Sequence, residues 1–269
     1  MKRHRGVSRL SRSAWWRIGR RHVEEAIFTV ARWLEPHVRG LYSVLGVFLL
    51  VGLGLAVIAV WGFAELAGSV LEGETTSLDH RVLLWIDAHA TPALDVVALE
   101  ITALGSPVVV ATLVLVSSAF LWFTHRRVCA FLIWVATAGG LVLNVALKLA
   151  FERPRPRVFE WRAHYATAYS FPSGHAMASM IIYVTLAYVI AELDPPAPMK
   201  RMAVVLAAAI IALVGLSRLY LGVHYPTDIL AGYAIGFAWA TLCAFNLRVA
   251  EYLRRQRRGR NRPGGGVPG

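Results

Sequence analysis

Apolar residues gather into six long runs, at roughly 41–66, 107–124, 128–151, 174–192, 202–219 and 226–247. Each is close to the ~20 residues an α-helix needs to cross the hydrocarbon core of a bilayer. Ahead of them, Trp16, Val23, Ile27, Val30 and Leu34 recur at helical spacing opposite Arg17, Arg20, Arg21 and Arg32. That pattern predicts a helix over 14–34, lying on a membrane surface or packed on the ends of the bundle. The stretch 78–104 is amphipathic but too polar for a span, and Pro92 divides it. It predicts two short interfacial helices with Trp85 near the headgroups. Asp79, Asp87 and Asp95 fall there as capping and solvating residues. The expected architecture is all-α: a six-span transmembrane bundle over 41–247 with short interfacial helices. A basic N-terminal segment, 1–40, precedes it, and a basic, Gly/Pro-rich disordered tail, 248–269, follows. The first run is too long, and starts too far from Met1, for a cleaved signal peptide.

Composition supports a membrane protein over a soluble enzyme. Of the 269 residues, 57% are apolar or aromatic and 16% are charged, against about 25% charged in an ordinary soluble domain. The formal charge of +12 is concentrated at the ends. Residues 1–40 carry +7, residues 248–269 carry +6, and the body between them carries −1. Nucleic-acid binding would want a basic face on a folded domain; basic tails beside apolar spans are instead the cytoplasmic signature of a membrane protein. Short loops at His125–Arg127 and Lys200–Arg201 agree with the tails, so all four segments are expected inside. This describes a multi-pass protein of the cell (inner) membrane. One loop breaks the pattern: 152–173, expected outside, holds Arg153, Arg155, Arg157 and Arg162. An anionic substrate would explain it. Cys129 and Cys243 have no metal or redox spacing, and no cluster suggests a metal or other cofactor.

Three short stretches hold nearly every polar residue that a bilayer protein should avoid. They are Lys148 through Pro156, Pro172 through His175, and Ser217–Arg218 with His224 and Asp228. Ionisable groups near membrane depth are costly and usually functional. Alternating crossings bring all three to one membrane face. There Lys148, Arg155 and Arg218 supply fixed positive charge, and arginine forks match phosphate oxygens. Ser173 is placed to cap the fourth span, and the free amides at Gly174 and His175 suit an oxyanion. Asp228, four residues after His224, can fix its tautomer and leave the other nitrogen as nucleophile or base. His175 suits acid/base work. Spacing alone does not choose which histidine attacks.

The pattern Lys-x6-Arg-Pro, Pro-Ser-Gly-His and Ser-Arg-x5-His-x3-Asp resembles the three-part signature of the type 2 phosphatidic acid phosphatase superfamily. Lys148, Arg155, Pro156, Pro172, Ser173, Gly174, His175, Ser217, Arg218, His224 and Asp228 fill it without departure. The resemblance implies a metal-independent lipid phosphatase at the extracytoplasmic face. In it, His224 would become phosphorylated, Asp228 would orient it and His175 would protonate the leaving alkoxide. Lys148, Arg155, Ser173, Gly174 and Arg218 would hold the phosphate. The expected substrate is a lipid phosphate drawn from the membrane: undecaprenyl diphosphate, phosphatidylglycerophosphate, phosphatidic acid or a lipid A phosphate. Arg153, Arg157 and Arg162 exceed the motif's needs and lean towards a diphosphate head, although loop anchoring explains them equally well. A lipid phosphotransferase using the same phosphohistidine remains open. A haloperoxidase is argued against by the six spans. An anion transporter is argued against by the apolar cytoplasmic halves of those spans.

Overall fold

The computed structural model describes residues 50–163 and 167–260 of the chain. The surface helix expected over 14–34 and the Gly/Pro-rich end of the tail lie outside the described residues.

Among the described residues eight helices follow one another: α1 (Leu50–Leu71), α2 (Thr76–Ala88), α3 (Pro92–Ala103), α4 (Pro107–Phe123), α5 (Arg127–Phe151), α6 (Gly174–Glu192), α7 (Ala197–Tyr220) and α8 (Pro226–Arg260). A single isolated bridge, Pro154 to Tyr169, is the extent of β pairing among the described residues. Local chemistry sets several helix starts. Thr91 and Ser106 accept hydrogen bonds from the amides of Leu94 and Val109, and Pro92 and Pro107 open the helices they cap. Gly222, at φ +74°, makes the turn between α7 and α8, and Pro226 then starts α8.

The two helices expected on either side of Pro92 are present as α2 and α3. The span count accommodates the six spans of the sequence reading, with one of them broken. Among the described residues, five helices are long and apolar enough to cross a membrane by themselves, and α3 and α4, bent by 41°, make a sixth span when taken together. At 17 residues α4 reaches about 26 Å, a little short of the ~30 Å hydrocarbon core. Together α3 and α4 have the length and composition of one span broken at the bend, or of a re-entrant loop. The last helix also runs past the expected limit at 247, to Arg260, so the basic tail begins as helix. Arg248 on that extension is ion-paired with Glu192 at the end of α6.

α6 is the hub. It packs against α4, α5, α7 and α8, most extensively α8. The α6–α8 approach depends on small residues: a Cβ at Gly232 would stand 2.8 Å from the Ser173 carbonyl oxygen, and one at Gly236 3.0 Å from that of Met177. The core around α6 holds Ile133, Ala136, Met177, Ile182 and Ile211. The opposite faces are apolar and exposed, among them Val57, Trp61, Val116, Val142 and Val205. That arrangement suits a bundle whose solvent is lipid.

Candidate active site

The last turn of α5, the first turn of α6, the last turn of α7 and the first turn of α8 come together at one end of the bundle. They bring the three polar stretches with them. The backbone ties two of the stretches directly, because the Ser173 amide donates to the Asp228 carbonyl at 3.0 Å.

His224 is buried in the turn before α8. Its Nδ1 lies 3.3 Å from Asp228 Oδ2 and its Nε2 lies 3.3 Å from Arg155 Nη1. A guanidinium can only donate, so Nε2 must be the bare nitrogen and Nδ1 must carry the proton that Asp228 accepts. Burial, and then the charges of Arg155, Arg218 and Lys148, hold the His224 pKa well below the usual histidine value. The ring is therefore neutral, with its lone pair turned towards the cations. Asp228 is fully buried and is held by the Tyr225 amide at 3.0 Å and by Arg153 Nη1 at 2.7 Å.

The cations form a partial ring. Arg155 donates to the carbonyls of Val223 at 2.7 Å and Thr167 at 2.8 Å, which fixes its fork beside His224. Lys148 Nζ donates to the Tyr169 carbonyl at 2.8 Å. Arg218 donates from Nη1 to Thr102 Oγ1 at 3.1 Å. Ser173 Oγ and Arg218 Nε are among the six buried side-chain polar atoms that have no partner among the described residues. Buried groups of this kind are normally satisfied, and the oxygens of one anion would satisfy both. Ser173 occupies the N-cap position of α6, but its hydroxyl makes no capping bond, contrary to the sequence expectation. The hydroxyl is left without a capping role. At Gly174 an added Cβ would stand 3.2 Å from Asn144 Oδ1, so the bare backbone keeps the helix start open.

Lys148, Arg155, Gly174, His175, Arg218 and His224 all line one cavity of about 600 Å³. Ser173 and Asp228 adjoin the lining: Ser173 immediately precedes Gly174, and Asp228 contacts His224. His175 faces the cavity, and its imidazole makes no hydrogen bond among the described residues. Away from the cations the lining turns apolar, through Pro107, Val110 and Ala111 of α4, Gly140, Leu141 and Val145 of α5, and Met177 and Ile181 of α6. From Lys148 down α5 to Thr137 the lining descends roughly 16 Å at 1.5 Å per residue. The cavity therefore joins a cationic end to a greasy shaft about half the bilayer core deep.

Some polar residues have roles the sequence did not disclose. Asp79 is not a solvating residue: it is fully buried, bonded to Arg153 Nη2 at 2.8 Å and to Thr227 Oγ1 at 2.7 Å. Arg162 pairs with Asp87 and lies 3.5 Å from Asp95. Arg153 and Arg162 are thus committed to carboxylates and not spare charges for a second phosphate. Arg157 is exposed and borders a second pocket, with Trp161 and Tyr169, that shares Arg155 and Thr167 with the main cavity. Asn144, one turn before Lys148, puts a lone amide into the apolar part of the lining. The helical spacing of Asn144 and Lys148 was a usable signal; the partners of Asp79 were not.

An all-helical membrane bundle with two imidazoles, three cations and an orphaned serine at the head of an apolar shaft belongs to a narrow class. Residues 127–248 match the PAP2 superfamily. The chain is 32% identical over 175 residues to phosphatidylglycerophosphatase B of Bacillus subtilis, covering 65% of this chain and 85% of that protein. It is 29% identical over 136 residues to an undecaprenyl-diphosphatase of Sulfolobus acidocaldarius, covering 49% of this chain and 61% of that one. The crystal structure of a transmembrane PAP2 type phosphatidylglycerolphosphate phosphatase from Bacillus subtilis superposes with a TM-score of 0.67 at 30% identity, covering 70% of this chain and 94% of that chain. The chain belongs to the PAP2 superfamily, in its integral membrane lipid phosphatase branch.

Proposed function

We propose that the protein hydrolyses a lipid phosphomonoester or prenyl diphosphate, without a metal, through a phosphohistidine on His224. The observation that carries this reading is the cavity itself. Its cationic end presents a bare His224 Nε2, and its apolar shaft suits the chain of a membrane lipid.

The chemistry follows from the bonds. His224 Nε2 attacks phosphorus, and the ester or anhydride P–O bond breaks. His175 gives its proton to the departing oxygen. Asp228 steadies the positive charge that develops on the imidazole ring by accepting from Nδ1. Lys148, Arg155 and Arg218, with Ser173 Oγ and the α6 amides from Gly174, stabilise the equatorial oxygens. Water then attacks the phosphoimidazole, losing a proton to His175, and inorganic phosphate leaves. A phosphotransferase would differ in the second step alone, with an alcohol in place of water. Arg153 and Arg162 are already paired, so the geometry does not favour a diphosphate over a monoester.

Purified protein in detergent should release inorganic phosphate from at least one member of a panel of phosphatidylglycerophosphate, phosphatidic acid and prenyl diphosphates, and should do so in EDTA. Loss of activity on chelation, restored by magnesium, would contradict the assignment of phosphate charge to the three cations.

The basic tails and the two basic loops support cytoplasmic tails and an extracytoplasmic site. In a Cys129→Ser/Cys243→Ser background, Glu160→Cys should react with a membrane-impermeant thiol reagent in intact spheroplasts. Ala197→Cys, at the opposite end of the bundle, should react only after permeabilisation. The reverse pattern would move the site to the cytoplasm and leave the chemistry unchanged.

A further inference from the structure

Behind His224 the wall of the site continues past Asp228 into α2. We propose that Asp79 and Arg153 are positioning residues for the nucleophile: Asp79 holds one arm of Arg153 so that the other orients Asp228 against His224. The inference rests on the phosphohistidine reading above.

Arg153 Nη2 donates to Asp79 Oδ2 at 2.8 Å, while Nη1 donates to Asp228 Oδ1 at 2.7 Å and to Thr227 Oγ1 at 2.8 Å. The two carboxylates are fully buried, and the Arg153 side chain is only 11% exposed. Charges so placed are weakly screened. The guanidinium carbon lies over the Tyr225 ring, 4.1 Å from its centroid. Asp79 is fixed in turn by the Thr227 amide at 3.2 Å and the Thr227 hydroxyl at 2.7 Å. An anion at the N-terminus of α8 is favourably placed there. The result is a continuous series: Asp79, Arg153, Asp228, His224.

The arrangement has an electrostatic consequence. A lone Arg153 could turn both arms to Asp228 and draw its negative charge away from the His224 proton. Asp79 occupies one arm, so Asp228 is left with a single bond from Arg153 on Oδ1, while Oδ2, which also accepts from the Tyr225 amide, faces His224 Nδ1. The three charged groups behind the imidazole sum to one negative charge, which favours the cationic ring formed as phosphorus is attacked. Asp79 and Arg153 touch neither the cavity nor the reacting atoms, so their effect should fall on the chemical step and not on substrate binding.

The test uses the full-length protein and three readouts: kcat, KM and the inhibition constant of vanadate, which mimics the five-coordinate transition state. Asp79→Asn keeps size and loses charge. It should lower kcat roughly 10- to 100-fold, the scale seen when outer-sphere partners are removed, with KM unchanged. Vanadate inhibition should weaken by a matching factor, while inhibition by inorganic phosphate stays the same. Arg153→Lys, which cannot bridge two carboxylates, should show the same signature and serves if Asp79→Asn fails to fold. Asp87→Asn, which breaks an ion pair on the same helix away from Asp228, should leave all these values at wild type. A merely structural role would lower the active fraction, and with it apparent kcat, at unchanged vanadate inhibition. That outcome, or wild-type values throughout, would overturn the proposal. The wider reading is tested separately by His224→Ala: inactive His224→Ala beside fully active Asp79→Asn would reject this inference alone.

Discussion

Replacing His224 with alanine should lower kcat by roughly 10⁴-fold or more, because a covalent nucleophile has no substitute in the site. The loss should not come from unfolding. Asp228 keeps two partners when the imidazole is removed, the Tyr225 amide and Arg153. Arg155 remains anchored on the carbonyls of Val223 and Thr167. Helical content by circular dichroism and the elution profile in detergent should therefore match wild type, and turnover of a lipid phosphate should vanish. A folded His224→Ala protein with near-wild-type turnover would remove the nucleophile from the account. Asp228→Asn should be less severe, since the asparagine still occupies the space beside Nδ1 but offers a weaker acceptor for its proton.

His175→Gln carries the second large effect, and its sign depends on the leaving group. With an alkyl phosphate, loss of the general acid should slow release of the alcohol about 10²- to 10⁴-fold. An aryl phosphate such as p-nitrophenyl phosphate leaves as a stable anion and does not need that proton. Its first step should therefore survive. The second step still lacks a base for water, so the variant should release about one equivalent of nitrophenolate per site in a burst and then turn over slowly. Equal losses in the first step with both substrates would show that His175 does not serve as the acid. The structure prepares this difference: His224 is tied to Asp228 and Arg155, whereas His175 lines the cavity without a hydrogen bond among the described residues.

Much of this site could be read from the chain because the constraint is strong. A bilayer core tolerates few ionisable groups, so Lys148, Arg218, His224 and Asp228 stand out against apolar neighbours. Topology then brings them together by counting crossings. Helix lengths were less legible. Hydropathy sees composition, so it ended the last span at 247, whereas Arg248 continues the helix by pairing with Glu192. It saw two short helices in 78–104, but not that the second is joined to α4 across a 41° bend. Spacing did not choose between the two histidines; the family resemblance pointed to His224, and the contact that supports it, Nε2 against a guanidinium, is visible only in the fold. Asp79 was misread for a related reason. Its polarity within an amphipathic stretch suggested solvent, and only the fold reveals that Arg153, 74 residues away, neutralises it in the interior.

The central claim is a covalent bond from His224 to phosphorus, made at the head of an apolar shaft. It is tested most directly by rapid quenching of the His175→Gln protein, in which that intermediate should accumulate, during turnover of an aryl phosphate labelled at phosphorus. Digestion under neutral to alkaline conditions and peptide mapping should place close to one phosphoryl group per chain on His224, and none when His224→Ala is added. Label on a different residue, or sustained turnover with no labelled protein at any time, would contradict the account.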